Sequence, residues 1–537
     1  MAQPLDLQGS FHVYDTTLRD GAQQEGLNLS VADKLAIARQ LDGLGVGYIE
    51  GGWPGANPKD TEFFRRAAQE LDLRHARLAA FGATRRAGVA AADDPQVAAL
   101  RDSGASVVTL VAKSHDRHVE LALRTTLAEN LAMVRDTVTH LREHGQTVFL
   151  DAEHFFDGYR ANRDYALEVL RTAAEAGAEV VALCDTNGGM LPGWVSDVVH
   201  DVIDTTGVRV GIHCHNDTGC AVANTLAAVE AGATHVQGTI NGYGERTGNA
   251  DLVCVVANLE LKLDKQVLPV GLLGDATRIA HAVAEVTNFP PASRQPYVGT
   301  SAFAHKAGLH ASAIKVDPFL YQHMDPVGVG NDMRLLVSDM AGRASIQLKG
   351  RELGFDLTDS EKDRELVTRV TERVKAMEQG GYTFEAADAS FELLLVEEVE
   401  GARPSYFDVE SWRVITETLT HARPGEEAVS EATVKLMAEG VRFVVTAEGN
   451  GPVNALDAAL RTAISQAFPE VAKFELIDYK VRILDQGHGT DAITRVLIET
   501  SDGESSWVTV GVGHNVIEAS WGALVDGLTF GLRKHHR

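Results

Sequence analysis

The stretch VRVGIHCHNDTGCAVANTLAAVEAGATHVQGTI, residues 208–240, holds one complete structural repeat of this chain. It opens on a β-prone run, passes through a polar segment, continues as an Ala- and Leu-rich helical stretch, and closes on a second β-rich run. The helical stretch ends on Gly232 just before that run, and glycine is a common helix stop. Strand, helix and strand in this order predict a parallel βαβ unit.

The same pattern recurs throughout the first half of the chain. Its β-rich runs lie at 11–18, 45–52, 76–82, 107–113, 147–153, 180–186, 208–216 and 235–240. Eight such units predict a (β/α)8 TIM barrel, the closed form of this repeat. A doubly wound open sheet is the main alternative, but the GxGxxG turn typical of that fold does not follow the first strand.

Three regions are predicted from the pattern of the remaining sequence. The barrel (1–285) gives way to a Pro-rich break and a linker region of short helices (286–384), including a helix that ends on the paired glycines 380–381. In the last region (385–537), the segments 441–464 and 507–528 both read strand, glycine turn, helix. Two copies of one ββα-like unit predict a small pseudo-symmetric α+β domain.

Composition narrows the function classes. The 537 residues carry a net charge of −26, which argues against general binding to nucleic acid or to an anionic membrane. The start MAQPLDLQGS lacks the pattern of a signal peptide, and no apolar run reaches the ~18 residues of a transmembrane helix. Four cysteines without a CxxC pair are typical of free thiols in a reducing compartment, so we expect a cytoplasmic protein.

Two histidines at the end of the seventh predicted strand indicate a metal site. His213 and His215 alternate along a strand, so both imidazoles point to the same face. Asp20, after the first strand, supplies a carboxylate, and Asn249, after the eighth, supplies an amide oxygen. Such mixed N/O donors suit Mn²⁺, Zn²⁺, Co²⁺ or Fe²⁺, with Mg²⁺ also possible. The alternatives are a polar strand end for the histidines and turn residues for Asp20 and Asn249.

Further polar residues fall at the same ends of the predicted strands, where barrel enzymes build their active sites. Arg19 stays charged and can stabilise an oxyanion, or it forms a surface salt bridge. Glu153 is a candidate general base or a strand-end cap, and Thr186 bonds either a substrate carboxylate or local backbone. The loop NGYGERTGNAD (241–251) combines exposed N–H groups with Arg246, as anion-binding loops do.

Three motifs in order resemble the α-isopropylmalate synthase, homocitrate synthase and citramalate synthase family. They are DTTLRDGAQQEG (15–26), HCHND (213–217) and NGYGERTGNADL (241–252). The resemblance extends to GLHASAI and FLYQHMDP in the linker, and to IDYKVRILDQGHGTDAITRVLIET and VTVGVGHNVIEASWGALVDGL in the last region. YIEGGWPGANPKDTEFF (48–64) and DAEHFFDGY (151–159) look most like the citramalate synthases of this family.

The resemblance implies a Claisen condensation: acetyl-CoA loses a methyl proton, the enolate attacks the ketone carbon of a 2-oxo acid, and the thioester of the product is then hydrolysed to release CoA. The 2-oxo acid is expected to be pyruvate; 2-isopropylmalate and homocitrate synthases, which use other oxo acids, are the alternatives. The implied metal ligands are Asp20, His213, His215 and Asn249. The implied substrate contacts are Arg19, Gln23, Glu153 and Thr186.

The resemblance also implies a CoA side, a dimer and a regulator. The CoA side would be lined by Gly242, Gly244, Glu245, Arg246 and Gly248. His310 and Tyr321 match linker residues implicated in catalysis that reach the site of the other subunit, so a homodimer is expected. The last region resembles an effector domain, for which isoleucine is the expected ligand, bound by the glycine-rich turns GNGPVNA (449–455) and GVGHNVIEA (511–519).

One departure and several alternatives bear on this interpretation. Asp151 stands where pyruvate-using relatives often carry an apolar or aromatic residue, which changes the expected polarity of the pocket.

A hydroxymethylglutaryl-CoA lyase-like enzyme would share the metal site but usually lacks the last region. A two-His, one-carboxylate oxygenase and a metal-dependent hydrolase fit the strand order less well. A small-molecule sensor with an inactive barrel conflicts with the intact set of polar strand ends.

Overall fold

The computed structural model describes residues 5–6, 10–338, 342–358, 360–417, 429–484 and 492–536. The DQGHGTD part of the C-terminal motif (485–491) and most of the N-terminal stretch examined for a signal peptide lie outside these residues. The chain divides into two compact units, Met1–Phe303 with Met324–Asp332, and Ala304–His323 with Met333–Arg537. The predicted linker region is therefore shared between the two units.

The first unit contains a closed barrel of eight strands, which confirms the predicted fold class. The strands are β1 (His12–Asp15), β2 (Tyr48–Gly52), β3 (Arg77–Ala83), β4 (Val107–Lys113), β5 (Thr147–Glu153), β6 (Val180–Asp185), β7 (Val210–Cys214) and β8 (His235–Gly238). Each strand pairs in parallel with the next, and β8 closes the barrel by pairing with β1. Parallel pairing brings all the C-terminal strand ends, here called the rim, to one side.

The helices of this unit lie between successive strands and after β8. They are α1 (Val31–Leu44), α2 (Pro58–Glu70), α3 (Pro95–Arg101), α4 (Leu127–Glu143), α5 (Phe155–Ala161), α6 (Arg163–Glu175), α7 (Pro192–Thr206), α8 (Ala221–Glu230), α9 (Leu252–Lys262) and α10 (Ala276–Thr287). A capping box between Ser30 and Asp33 begins α1, and Gly45 ends it at φ 88°. The helix after β4 is irregular, with one turn at Asp116–His118 followed by a π-helix at Val119–Leu123.

The first strand is shorter than its sequence pattern predicts. The β-rich run covers 11–18, but the strand ends at Asp15. The backbone N–H groups of Arg19 and Asp20 both donate to the carbonyl of Thr16, so the chain turns instead of extending. This turn presents Arg19 and Asp20 at the rim.

The barrel has an inner core separate from the layer between strands and helices. Six buried residues from successive strands form this inner cluster: Tyr14, Tyr48, Ala79, Val107, Phe149 and Val180. The rings of His12 and His235 pack against Phe149, with centroids 5.5 and 5.2 Å from it. Polar side chains thus enter the packed interior at its N-terminal end, and each requires a hydrogen-bond partner there.

The second unit contains helices of 7 to 20 residues and two three-stranded antiparallel sheets. Its helices are α11 (Gly308–Ile314), α12 (Arg343–Glu352), α13 (Glu361–Gln379), α14 (Asp388–Glu400), α15 (Pro452–Ile464) and α16 (Val516–His535). The sheets are β9 (Phe407–Glu417), β10 (Val429–Ala438) and β11 (Val441–Gly449), and β12 (Glu475–Ile483), β13 (Thr494–Ser501) and β14 (Ser506–Gly513). Each repeat is therefore βββα rather than the ββα-like unit predicted, because a further strand pairs ahead of each hairpin.

The four cysteines are free thiols, and Cys184, Cys214 and Cys254 are buried. Within the described ranges, none of the helices combines the length and the apolar character needed to cross a membrane.

Candidate active site

A cavity of about 590 Å³ opens at the rim of the barrel. It brings together residues that are distant in sequence and that were predicted to act together. These are Arg19, Asp20, Gln23, Glu153, Thr186, His213, His215, Glu245 and Arg246. Its apolar lining includes Trp53, Phe81 and Met133, so the polar groups face a partly apolar space.

Asp20, His213 and His215 form a cluster with metal-ligand geometry at this cavity. One ligand atom from each lies within 4.8 Å of the others, and all three residues are buried. Asp20 Oδ2 is 3.1 Å from His213 Nε2 and 3.7 Å from His215 Nε2. Two imidazoles and a carboxylate converging on one point suit a divalent cation and leave coordination positions for a substrate.

The electrostatics favour the cation-binding protonation states of Asp20 and His215. Burial would lower the pKa of His213, but its hydrogen bond and charge interaction with Asp20 together outweigh burial and raise that pKa. Burial alone would raise the pKa of Asp20, but Arg19 and His213 outweigh it and hold that pKa below its usual range. Burial, helped by the neighbouring His213, lowers the pKa of His215 to about 4. An ionised carboxylate and a neutral imidazole are the forms in which these groups ligate metals.

Asn249 adds an unsatisfied acceptor beside the cluster. Its backbone forms an isolated bridge with that of His215, and its Nδ2 donates to the carbonyl of Tyr243 at 3.0 Å. Its Oδ1 is buried and has no hydrogen-bond partner in the part of the chain that the structure describes. A buried acceptor without a partner requires an explanation, and a cation held by its neighbours supplies one. The residues present therefore fit a divalent metal.

Arg19 is fixed beside the cluster by three contacts. Its Nε donates to Glu50 Oε1 at 2.5 Å, its Nη1 lies 3.5 Å from Asp20 Oδ1, and its guanidinium lies 3.9 Å from the ring centroid of Phe81. Burial alone would lower the pKa of Arg19, but the Glu50 and Asp20 carboxylates outweigh it and raise that pKa above its ordinary value. Arg19 is therefore a largely buried, oriented cation and not the surface salt bridge that was its alternative interpretation.

Glu153 and Thr186 lie at neighbouring strand ends and already have protein partners. Glu153 forms an ion pair with Lys113, at the end of β4. The Thr186 hydroxyl accepts a hydrogen bond from the backbone N–H of His154 at 2.9 Å. Accepting this bond leaves the proton of the Thr186 hydroxyl available for an acceptor in the cavity.

The glycine-rich loop lines a second cavity of about 760 Å³ together with Asn249. Its backbone folds so tightly that a Cβ on Gly244 would lie 2.3 Å from Asn249 Nδ2, and one on Gly248 would lie 2.0 Å from the carbonyl oxygen of Gly242. Arg246 makes a paired contact with Asp217, both at 2.8 Å, and donates to the carbonyl of Thr186. The glycines thus have a structural role in positioning Asn249.

His310 and Tyr321 belong to the second unit. Their rings stack with centroids 4.0 Å apart and an interplanar angle of 26°. The two residues are brought together there, on α11 and in the segment that follows it.

Two residues of the site were not assigned roles from sequence. Glu50 is fully buried and accepts hydrogen bonds from Arg19 and from the Tyr14 hydroxyl. Gln237 is fully buried and contacts His213. The sequence signal that could have identified Gln237 is its position in a short β-rich run, two residues after a second polar residue, His235. Two polar side chains at this spacing point to the same face of a strand.

Three family models match consecutive parts of the chain. The HMGL-like model matches residues 10–281, the homocitrate synthase post-HMGL domain-like model matches 297–381, and the LeuA allosteric (dimerisation) domain model matches 385–532. An (R)-citramalate synthase of Streptomyces coelicolor is 69% identical over 532 residues, covering 99% of this chain and 98% of that one. The chain belongs to the (R)-citramalate synthase family.

A second relative agrees with this assignment. An (R)-citramalate synthase of Synechocystis is 49% identical over 532 residues, covering 98% of this chain and 96% of that one. Among solved structures, an HMG-CoA lyase of Bacillus subtilis has 19% identity and a TM-score of 0.46, covering 55% of this chain and 98% of that one. The match to the last region favours the (R)-citramalate synthase family over the lyase-like alternative considered from sequence.

Proposed function

We propose that this protein is an (R)-citramalate synthase that condenses acetyl-CoA with pyruvate and hydrolyses the resulting thioester to citramalate and CoA. The observation that carries the proposal is the buried cluster of Asp20, His213 and His215 beside the oriented guanidinium of Arg19. A reaction that develops negative charge on an enolate and on a former ketone oxygen requires concentrated positive charge at one place. The family assignment supports pyruvate over the oxo acids of the two alternative synthases.

In the proposed site, Asp20, His213, His215 and Asn249 would hold the divalent cation, with Mn²⁺, Mg²⁺, Zn²⁺ and Co²⁺ as the candidates. When bound, such a cation polarises a carbonyl as a Lewis acid. Arg19 stabilises the negative charge that develops on the ketone oxygen as the new carbon–carbon bond forms. Its contacts with Glu50 and Phe81 orient the guanidinium before substrate arrives, so that little reorganisation is needed during the reaction.

The remaining rim residues would hold and order the substrates. The Thr186 hydroxyl donates to the pyruvate carboxylate, and Gln23 contacts the same substrate. Glu153, paired with Lys113, would receive the methyl proton of acetyl-CoA or order a water molecule for thioester hydrolysis. Burial and the neighbouring Glu50 raise the pKa of Asp151 to about 6, so this residue, where pyruvate-using relatives often carry an apolar or aromatic one, is still mostly ionised at pH 7.

Acetyl-CoA would approach from the side of the glycine-rich loop. Gly242, Gly244, Glu245, Arg246 and Gly248 line the entry there, and His310 and Tyr321 complete the site of the opposite subunit in a homodimer. The LeuA dimerisation match at 385–532 supports the dimer. We keep the proposed domain limits of 1–285, 286–384 and 385–537. The four free thiols support the proposed cytoplasmic location.

The main test is a substrate panel. Purified protein with acetyl-CoA and a divalent cation should release CoA thiol with pyruvate at a kcat/KM about tenfold or more above that with 2-oxobutyrate. One methylene in an apolar pocket is worth about 1–3 kcal/mol, which sets that ratio. Treatment with a chelator should abolish the release, and Mn²⁺ should restore it. Exclusive use of 2-oxoisovalerate or 2-oxoglutarate would contradict the proposed substrate, and full activity in chelator would contradict the metal site.

The second unit offers a place for a feedback effector, which we propose to be isoleucine. A cavity of about 720 Å³ is lined by the turn before α15, by α15 itself and by β12, with Asn450 in the turn and Asn454, Asp457 and Arg461 on the helix. Arg461 Nε donates to both carboxylate oxygens of Asp457, at 2.7 and 2.8 Å. A free amino acid carries an ammonium and a carboxylate group. In this cavity the Asp457 carboxylate would bind the ammonium and the Arg461 guanidinium would bind the carboxylate.

Isoleucine should inhibit the full-length protein more strongly than leucine. Asp457→Asn should raise the isoleucine concentration needed for half-inhibition by about tenfold or more, since a charged hydrogen bond contributes about 1.5–3 kcal/mol. The uninhibited rate should not change. Asp478→Asn is the matched control, because Asp478 is a partly exposed aspartate of β12 that pairs with Lys480 and does not line the cavity. Unchanged activity at saturating isoleucine and leucine would contradict an effector role.

A further inference from the structure

A column of polar side chains runs from the N-terminal end of the barrel to the metal cluster. His12, His235, Gln237 and His213 lie on three neighbouring strands, and each is buried. His12 belongs to β1, His235 and Gln237 to β8, and His213 to β7. The side chains are linked in this order by contacts of 2.9 to 3.3 Å. Buried polar groups cost free energy unless they are paired, so a continuous column of them needs a reason.

The amide of Gln237 has one consistent orientation. Its Nε2 faces Asp151 Oδ1 at 2.8 Å and His235 Nε2 at 3.3 Å, and its Oε1 faces His213 Nδ1 at 2.9 Å. The amide nitrogen can only donate, so both Asp151 and His235 accept from it. The amide oxygen can only accept, so His213 must carry a proton on Nδ1.

The same logic extends to the far end of the column. Because His235 accepts at Nε2, its proton is on Nδ1, which faces His12 Nδ1 at 3.3 Å. His12 then carries its proton on Nε2, which faces the Tyr48 hydroxyl at 3.5 Å and Glu179 at 3.8 Å. Burial lowers the pKa of His12 to about 3 and that of His235 well below its usual value, so both rings are neutral. From His213 through Gln237 and His235 to His12, each side chain therefore donates a hydrogen bond to the next one in the column.

We infer that Gln237, held in orientation by His235 and His12, is a positioning residue that fixes the tautomer and ring orientation of His213 for cation binding. With the proton of His213 held on Nδ1, Nε2 is the atom that would ligate a cation at the point shared with Asp20 and His215; this Nε2 lies 3.1 Å from Asp20 Oδ2. Groups that orient metal-ligating histidines in this way change metal affinity by about 10- to 100-fold when removed. The inference rests on the metal site of the proposed function.

The competing explanation is that the column only fills the inner core. Phe149 can distinguish the two explanations. Its ring packs against His12 and His235, but it has no polar atom and takes no part in the hydrogen bonds of the column. If packing alone matters, shortening Phe149 should disturb the metal site as much as removing the amide of Gln237. If hydrogen-bond direction matters, only the variants in the column should do so.

The test measures the Mn²⁺ dissociation constant of the metal-free full-length protein by electron paramagnetic resonance, with Tm recorded for each variant. Gln237→Met, which keeps the length of the side chain and removes both polar atoms, should weaken Mn²⁺ binding about 10- to 100-fold. Gln237→Glu keeps an acceptor for His213 and can share one proton with Asp151, so it should bind Mn²⁺ as tightly as the wild type or more tightly. Phe149→Leu should lower Tm and leave the dissociation constant within about threefold of the wild type, less than the smallest effect expected of Gln237→Met.

The outcomes separate this inference from the proposed function. Tight Mn²⁺ binding by the wild type with no change in Gln237→Met, or with an equal loss in Phe149→Leu, would overturn the inference alone. Wild-type protein that binds no Mn²⁺ would overturn the metal site itself. Should Gln237→Met not fold, a loss of affinity in Gln237→Glu comparable to that of a missing ligand would overturn the inference, and retained affinity would support it.

Discussion

Asp20→Asn should lose its divalent cation on dialysis, and its kcat/KM for CoA release from acetyl-CoA and pyruvate should fall by about three orders of magnitude. The substitution preserves the size of the side chain and removes the charge that faces both histidines at 3.1 and 3.7 Å. Lewis-acid polarisation is worth several kcal/mol, and each ~1.4 kcal/mol of lost transition-state stabilisation is tenfold in rate. Metal content by mass spectrometry and thiol release measure the two effects.

Asp157→Asn is the matched control for this variant. Asp157 lies close to the same rim, on α5, with a half-exposed side chain that accepts from Asn187. It does not line the cavity, so metal content and rate should match the wild type. If Asp20→Asn keeps both its metal and its rate, the metal-dependent mechanism is wrong.

Arg19→Met should lower kcat about 10²- to 10³-fold, the loss expected when one preorganised oxyanion donor is removed. It should also destabilise the fold by about 3–5 kcal/mol, because Glu50 is fully buried and would lose its cationic partner. Arg19→Lys keeps the charge without the planar fork that holds Glu50, so its rate should fall less. Steady-state rates and denaturant unfolding measure the two effects independently.

The double variant Arg19→Met/Glu50→Gln separates catalysis from stability. Neutralising Glu50 removes the buried unpaired charge. The free energy of unfolding of the double variant should therefore return most of the way from that of Arg19→Met to that of the wild type. The guanidinium is still missing, so kcat should stay as low as in Arg19→Met. Recovery of the rate together with the stability would assign Arg19 a structural role only.

The barrel was predictable because its signals are local. Alternating β-rich runs and helices that end on glycine determine a parallel βα repeat, and eight repeats close into one barrel. The predicted boundaries of β4 (107–113) and β5 (147–153) match the structure, since apolar, β-branched runs there end where polar rim residues begin. The first strand was predicted too long because the turn at Thr16 depends on backbone hydrogen bonds that an apolar pattern does not reveal.

The C-terminal repeats were predicted only in part. Their second halves read clearly as a strand, a glycine turn and a helix. The additional strands β9 and β12 alternate exposed and partly buried residues and lack a strong apolar pattern, so only their pairing with β10 and β13 identifies them.

By itself, the sequence determined the barrel and the side of it at which Arg19, Asp20, His213 and His215 meet. It could do so because the order of strand ends along a parallel barrel dictates which residues share the rim. Only the tertiary structure decided which of these groups are paired: Arg19 with Glu50, Arg246 with Asp217, and His213 with Gln237. These partners lie 24 to 31 positions apart in the chain, on different strands and loops. Their contacts depend on side-chain packing in the closed barrel, which no local pattern encodes.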